Sequence, residues 1–366
     1  MDAKRRSSGR IQPTEAPEII EERVAIVIVN YRTPELTENC LSKLKDERRA
    51  FRNLRVLVVD GGSGDGSAER LAVSIAGPEF HDWIDFLALP INGGFGWANN
   101  QAIYRLMASS ESPLYIHLLN PDAEIEPWAV SRLASYLNRH SNVGAVGSQL
   151  LEPDGSCTDS AFTFPTLRGE FSRTARTALF DRILRVPPLA IRASSAIQVD
   201  WATGASVMLR TQALRDAGLF DEGFFLYHEE VELMWRFRRF GWHTALETQS
   251  RVRHIGGSAT GVRPPRSSVR VLPRNPKYWL RSRVRLLALT RGIAFAAIAF
   301  LVAMLGYAAW YCRKYSGLAS AALPVDHGIR DHLAYSFPRR WDALPAIAEL
   351  DAPASCRPAW MERETF

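Results

Sequence analysis

Cysteine is scarce, with four in 366 residues. Cys40, Cys157, Cys312 and Cys356 stand far apart, and none falls in a C-x-x-C spacing. That argues against a structural zinc site and against a disulfide framework, and it fits a reducing cytoplasm. Residues 1–22 lack the apolar stretch of a secretory signal; they are polar and charged and read as a flexible arm. No G-x-G-x-x-G follows the first apolar run, which argues against a dinucleotide-dependent oxidoreductase. No Gly-rich loop with Arg or Lys follows that run either, as a nucleotidyltransferase would want. No nucleic-acid module has left a signature, so the basic balance alone makes no case for nucleic acid. Internal repeats are absent.

What is present suits a large packed domain. Apolar residues are 46% of the chain, enough for a full core, and charged residues are 23%, too balanced for a disordered chain. The net charge of +6 and a pI near 9.3 suit anionic partners such as a diphosphate or anionic lipid.

The first half alternates short apolar runs with helical segments. Residues 24–29 (VAIVIV) and 55–60 (RVLVVD) read as strands buried on both faces, followed by 84–89, 114–119 and 143–150. Helices are predicted from about Glu35, over 97–107, and after Pro127. This alternation implies an α/β fold with a mostly parallel sheet flanked by helices. Such sheets bind ligands outside the carboxyl ends of their strands. Residues 155–195 are less periodic, 199–209 resume strand character, and 220–240 contain a helix closed by Gly241. The Pro- and Arg-rich stretch 263–277 reads as a connector.

Residues 292–311 carry no charge over 20 positions, just reaching the length of a bilayer span. Basic residues flank the run on both sides, which suits an interfacial or re-entrant helix as well as a span, and a buried helix is the plain alternative. The division expected is an arm over 1–22, a catalytic domain over 23–262, and a C-terminal helical and hydrophobic appendage over 263–366 containing the candidate membrane-associated segment.

Polar residues cluster after each of the first four strands. Asn30-Tyr31-Arg32 follows the first, Asp60 and a Gly/Ser/Asp loop the second, an Asn/Gly-rich segment from Asn92 to Asn100 the third, and Asn120-Pro121-Asp122 the fourth. Each alone is explained as a turn; their recurrence after four successive strands weighs against that reading for the set. A further acidic group, Glu229-Glu230-Val231-Glu232, opens a helical segment, where a helix dipole favours acids anyway. Glu232 and Arg236 are also spaced as a helix-supporting pair.

The ordered set VNYRTPELTENCL, VVDGGSGDGS, NGGFGWANNQ, LLNPDA, WATGASVMLR and FFLYHEEVELMWRFRRFGW resembles family 2 glycosyltransferases, in their rhamnosyltransferase-like branch. The resemblance covers about residues 23–257. It implies a GT-A nucleotide-diphospho-sugar transferase fold, an inverting mechanism and a divalent metal, Mg2+ or Mn2+. By the same resemblance, Asn30, Tyr31 and Arg32 line the nucleotide pocket, and Asp60 meets the base, with Gly61 and Ser63 beside it. Gly93, Gly94 and Gly96 let backbone approach the diphosphate, as only Gly permits, with Asn99 nearby. The family's Asp-x-Asp metal motif reads Asn120-Pro121-Asp122 here, which implies Asp122 as metal ligand and Asn120 on ribose or phosphate. Glu124 is a weaker candidate that points away. Glu230 stands where the family carries an Asp base, with Glu229 as the alternative. Trp201, Gly204 and Ala205 match the acceptor side; Trp201 stacks on a sugar or sits in the core. His254 matches a family His that ligates the metal or contacts the diphosphate. Arg251, Arg253, Arg263 and Arg266 either close over the phosphates or form a basic patch.

The function implied is sugar transfer, by resemblance of rhamnose, from a dTDP- or UDP-linked donor to a glycan or lipid-linked acceptor. The place implied is the cytoplasmic face of the cell membrane, in polysaccharide biosynthesis of the cell envelope, with membrane association and no nucleic acid. The changes at positions 120 and 230 also suit a second reading, a non-catalytic nucleotide-sugar binding module.

Overall fold

The computed structural model describes residues 19–256, 274–317, 328–346 and 357–363. The β-branched runs form interior strands. β1 (Val24–Asn30) and β2 (Leu54–Asp60) are buried along nearly their whole length and pair in parallel. β3 (Ile84–Ala88) extends the sheet in parallel on β2, and β4 (Tyr115–Leu119) does so on β1. The crossovers are α1 (Pro34–Arg48), α2 (Ser67–Ile75) and α3 (Phe95–Met107). Pro34 opens α1, where its missing N–H costs nothing.

β5 (Ala123–Ile125), α4 (Ala129–Arg139) and β6 (Val143–Leu151) follow. Glu47 reaches across from α1 to cap α4: its carboxylate accepts from the amides of Val130 and Ser131, both at 3.2 Å. Burial raises this carboxyl to about 7, against the pull of those amides. The less periodic stretch then holds β7 (Ala161–Phe162), α5 (Leu167–Ala175), α6 (Ala178–Ile183) and β8 (Ala190–Ile191).

The strand expected over 199–209 is three pieces: β9 (Ile197–Val199), β10 (Trp201–Ala202) and β11 (Ser206–Arg210). A turn at Thr203-Gly204-Ala205 separates the last two. β10 joins β7 and β8 in a small second sheet, while β11 enters the main sheet antiparallel to both β4 and β6. After α7 (Thr211–Ala217) and α8 (Glu229–Arg239) comes β12 (His243–His254), a long strand that periodicity does not announce. Nine of the twelve residues in its sequence HTALETQSRVRH are polar although seven are buried, so no apolar pattern marks it. It runs parallel to β6 with an irregularity between Glu247 and Arg251, then antiparallel to β5, which sets His254 opposite Ala123. The main sheet therefore reads β3-β2-β1-β4-β11-β6-β12-β5, with β9 paired to β12.

Side chains alternate across this sheet. Ile26 and Ile28 of β1 join one apolar layer with Leu41, Leu133 and Met208, while Val27 joins the other with Trp97, Leu214 and Phe237. A buried polar row crosses four strands: His117 to Ser206 at 3.0 Å, Ser206 to Ser148 at 2.8 Å, and Ser148 to Ser250 at 2.8 Å. Burial drops His117 to about 3, so it is neutral there.

The C-terminal part packs on this domain. α9 (Lys277–Arg291) is pinned by Arg285, whose Nη2 donates at 2.8 Å to both carboxylate oxygens of Asp221; both residues are fully buried. α10 (Ile293–Tyr315) holds the uncharged run after a break at Gly292, and α11 (Gly328–Tyr335) and α12 (Ala359–Arg363) close the order. The connector expected over 263–277 lies mostly outside the described residues. Ile20, within the expected arm, is buried and bridged to Phe51.

Candidate active site

A cleft of about 460 Å³ opens at the carboxyl ends of β1, β2 and β4, against the Thr203–Ala205 turn and the start of α8. Tyr31, Gly61, Gly94, Asn120, Asp122, Gly204, Ala205, Glu229, Glu230 and His254 line it. Asn30, Arg32, Asp60, Ser63, Gly93, Gly96, Asn99 and Trp201 do not; Asn30, Asp60, Ser63 and Asn99 are buried, whereas Arg32 is exposed.

The residues after β1 and β2 hold one another. Asn30 Nδ2 donates to Asp60 Oδ2 at 2.8 Å, and Ser63 donates to the same carboxylate through its amide at 2.9 Å and its hydroxyl at 2.7 Å. The Arg32 amide in turn donates to Ser63 Oγ at 2.9 Å. Asn30 Oδ1 accepts from the Thr33 amide and the Thr37 hydroxyl. Asp60 is thus a buried clasp between two strand-end loops.

The glycines after β3 have a packing reason. A Cβ on Gly93 would sit 2.1 Å from the Trp97 ring, and one on Gly94 would sit 1.9 Å from the Phe225 carbonyl oxygen, at a φ of +89°. Either contact excludes a side chain. What approaches these glycines closely is protein. Asn99 donates to the Phe95 carbonyl at 2.9 Å, and its neighbour Asn100 ties Phe220 through both backbone groups.

Asn120, Asp122 and His254 come together. His254 Nε2 lies 3.1 Å from Asp122 Oδ1 and 3.3 Å from Asn120 Nδ2. The β5–β12 pairing makes this possible, and the Ile255 amide to Asp122 carbonyl bond at 3.2 Å continues it. Glu124 faces away, accepting from Asn39 at 2.7 Å. Among the described residues no three His, Cys, Asp or Glu side chains gather into a metal cluster. One carboxylate and one imidazole facing a cleft still fit a cation that takes its remaining ligands from water and phosphate oxygens. Buried Cys40 lies beneath; burial, then the Asp122 and Glu124 charges, push its thiol up, so it stays neutral.

The three acids of α8 have different surroundings. Glu229 is buried with Oε2 unpartnered, and burial, then the Glu230 charge, hold its carboxyl well above the usual range. Glu230 is half-buried on the cleft wall, and burial brings its carboxyl to about 7. Glu232 turns into the domain, where Arg236 donates to both its oxygens at 2.8 and 2.9 Å. The helix is presented by two left-handed residues in succession, Tyr227 at φ 69° and His228 at φ 73°, a conformation that non-glycine residues hold only under constraint.

Composition and spacing gave no sign of one wall of the cleft. Phe225, Leu226, Tyr227 and Tyr278 form it. Tyr278 comes from α9 and stacks on Tyr227 with ring centroids 6.0 Å apart at 15°. Trp201 is engaged elsewhere, stacked on Phe162 at 4.4 Å and donating to the Thr163 carbonyl at 3.1 Å. Arg253 pairs with Glu126 at 3.2 Å; Arg263 and Arg266 lie outside the described residues.

Residues 25–198 match the family described as Glycosyl transferase family 2. The chain is 28% identical over 254 residues to an N-acetylglucosaminyl-diphospho-decaprenol L-rhamnosyltransferase of Mycobacterium tuberculosis, covering 65% of this chain and 78% of that one. It is 26% identical over 217 residues to a low-salt glycan biosynthesis hexosyltransferase of Haloferax volcanii, covering 59% of this chain and 62% of that one. A crystal structure of GalNAc-T7 with UDP, GalNAc and Mn2+ superposes with a TM-score of 0.53 at 13% identity, covering 86% of this chain and 57% of that one. That likeness shows the fold, which is GT-A.

Proposed function

We propose how this chain, which carries a glycosyl transferase family 2 domain and transfers a sugar from a nucleotide-sugar donor, performs that transfer and on what. The donor is a nucleoside-diphosphate sugar, dTDP- or UDP-linked, with rhamnose the sugar that the mycobacterial relative's name favours. The acceptor is a hydroxyl of a glycan or lipid-linked glycan, met at the cytoplasmic face of the cell membrane; the diphospho-decaprenol in that relative's name supports a lipid-linked one.

One observation carries the mechanism: Glu230 and the Asn120–Asp122–His254 cluster, from distant parts of the chain, line a single cleft. Glu230 takes the proton of the acceptor hydroxyl as its oxygen attacks the anomeric carbon and the nucleoside diphosphate leaves from the opposite face, inverting the centre. A base with a carboxyl near 7 is poised for that task at neutral pH. Glu229, buried and neutral beside it, keeps a second negative charge away from Glu230. Asp122 and His254 would hold a Mg2+ or Mn2+ ion, with Asn120 toward ribose or phosphate; such an ion neutralises the charge of the leaving diphosphate. Tyr31 and Gly61 receive the nucleotide, above the clasp of Asn30, Arg32, Asp60 and Ser63. Gly204 and Ala205 face the acceptor side, and the Tyr227–Tyr278 pair offers an aromatic wall to a pyranose ring.

Calorimetry with a panel of nucleotide sugars, with and without Mn2+, on wild type and Asp122→Ala, tests this. Metal-dependent binding of one donor, lost in the variant, is expected. Equal binding by the variant would remove Asp122 from the donor site.

A further inference from the structure

We infer that α10 lies flat in the surface of an anionic lipid bilayer, with its outward face in the acyl layer and its inward face on the catalytic domain, and does not cross the membrane. This deepens the proposed action on a membrane-side acceptor and rests on that reading for its meaning. Its test involves no sugar transfer, so the two can fail separately.

Length and composition alone would let this helix span, for it has 23 residues and no charge before Arg313. Its inward face forbids that. Small residues, Ala296, Ala299, Ala303 and Gly306, are buried there. A Cβ on Gly306 would stand 2.0 Å from Thr174 Oγ1 and 2.7 Å from the Phe171 carbonyl oxygen, so the backbones of α10 and α5 touch. Further along, Arg313 donates to the Ala175 carbonyl at 2.6 Å. A transmembrane placement would strip this whole seam from the domain, Arg313 included.

The outward face is different in kind. Ile298, Leu301 and Leu305 are 48, 59 and 63% exposed, at the three- and four-residue spacing of one helix face. Phe337, 63% exposed, extends that apolar surface through an edge contact with Phe300 at 5.6 Å. A helix with one face held by protein and the other large, apolar and exposed matches an interfacial helix.

Charge names the occupant. Residues 274–317 contain no Asp or Glu, and of their eight Lys or Arg, Arg274, Arg283 and Arg285 are paired with Asp331, Glu170 and Asp221 within the fold, which leaves the exposed ends to carry the charge. Arg291 and Lys314 are exposed at the two ends of α10, each over aromatic rings: Arg291 over Phe295 at 4.9 Å and Lys314 over Tyr311 at 5.9 Å. Arg330, Arg339 and Arg340 are exposed on the segment that packs beside it. Basic groups rimming an apolar stripe fit anionic headgroups over an acyl layer. A second copy of the chain would bring the same positive rim against itself.

Flotation with phosphatidylcholine vesicles, with and without phosphatidylglycerol, tests the inference. Wild type is expected to float with the anionic vesicles and much less with the neutral ones. Leu301→Asp with Leu305→Asp should lower binding by at least about tenfold, with an unchanged circular-dichroism melt. Val73→Asp on α2, at a residue 77% exposed, should bind as wild type. In a chain whose other exposed cysteines are Ser, Ile293→Cys and Ser316→Cys are expected to react with an impermeant maleimide from the same side of sealed membranes. One end reached only after detergent would make α10 a span and overturn the inference. Absence of vesicle binding, with a dimer in ultracentrifugation that the double aspartate variant loses, would assign the face to a second copy and overturn it equally.

Discussion

Glu230 and Glu232 lie two residues apart in the first turn of α8, and the sequence offers both the same dipole. Their neighbours separate them. Arg236 engages Glu232 inside the domain, whereas Glu230 meets the cleft. Glu230→Gln is expected to lower transfer by about 10²–10⁴-fold with donor affinity unchanged. Glu232→Ala should instead strip the partner from a buried guanidinium and cost roughly 3–5 kcal/mol in urea unfolding. The sign of the pH dependence follows from the Glu230 carboxyl near 7. Below that value it is protonated and cannot accept the acceptor's proton. The transfer rate should therefore rise as pH climbs through about 7, and a pH–rate profile flat across that range would discard Glu230 as the base. Periodicity could not have sorted these acids, because it reports which face of the helix a residue is on but not what waits there.

Glu47 shows the same principle between elements. It belongs to α1 but caps α4, and nothing local in the sequence links the two. Its folded carboxyl, near 7, lies above its ordinary 4.5, so the folded state binds its proton more tightly than the unfolded chain does. Stability from this group is full below the ordinary value and is lost as pH rises through about 7. Glu47→Gln should flatten the fall in melting temperature across that window, read by thermal scans at stepped pH. β1 and β2 were legible because both their faces are buried and β-branched residues fill them. β12 was not, since its partners on either side supply its stability and free its own sequence to be polar. The run at 199–209 misled for the opposite reason: its apolar character is real, but the turn at Thr203-Gly204-Ala205 divides it between two sheets.

Across the whole molecule the C-terminal helices are part of the site's frame. The Arg285–Asp221 pair fixes α9, which carries Tyr278 into the cleft, and Ser282 of the same helix bonds the Leu226 carbonyl at 2.9 Å. Arg285→Ala leaves the buried Asp221 carboxylate without its counter-charge and is expected to cost roughly 3–5 kcal/mol, measured by urea unfolding. If stability is unchanged, α9 is not anchored there.

The α/β alternation, the ordered set of polar strand ends and the family they resemble are written in local sequence, because they depend on periodicity and on residues close in the chain. Only the tertiary structure brought His254 beside Asp122, gave Asp60 its internal partners and carried Tyr278 to the cleft. It also gave α10 two unlike faces. Each of these depends on pairing or packing between segments tens to hundreds of residues apart, and no local pattern encodes that distance.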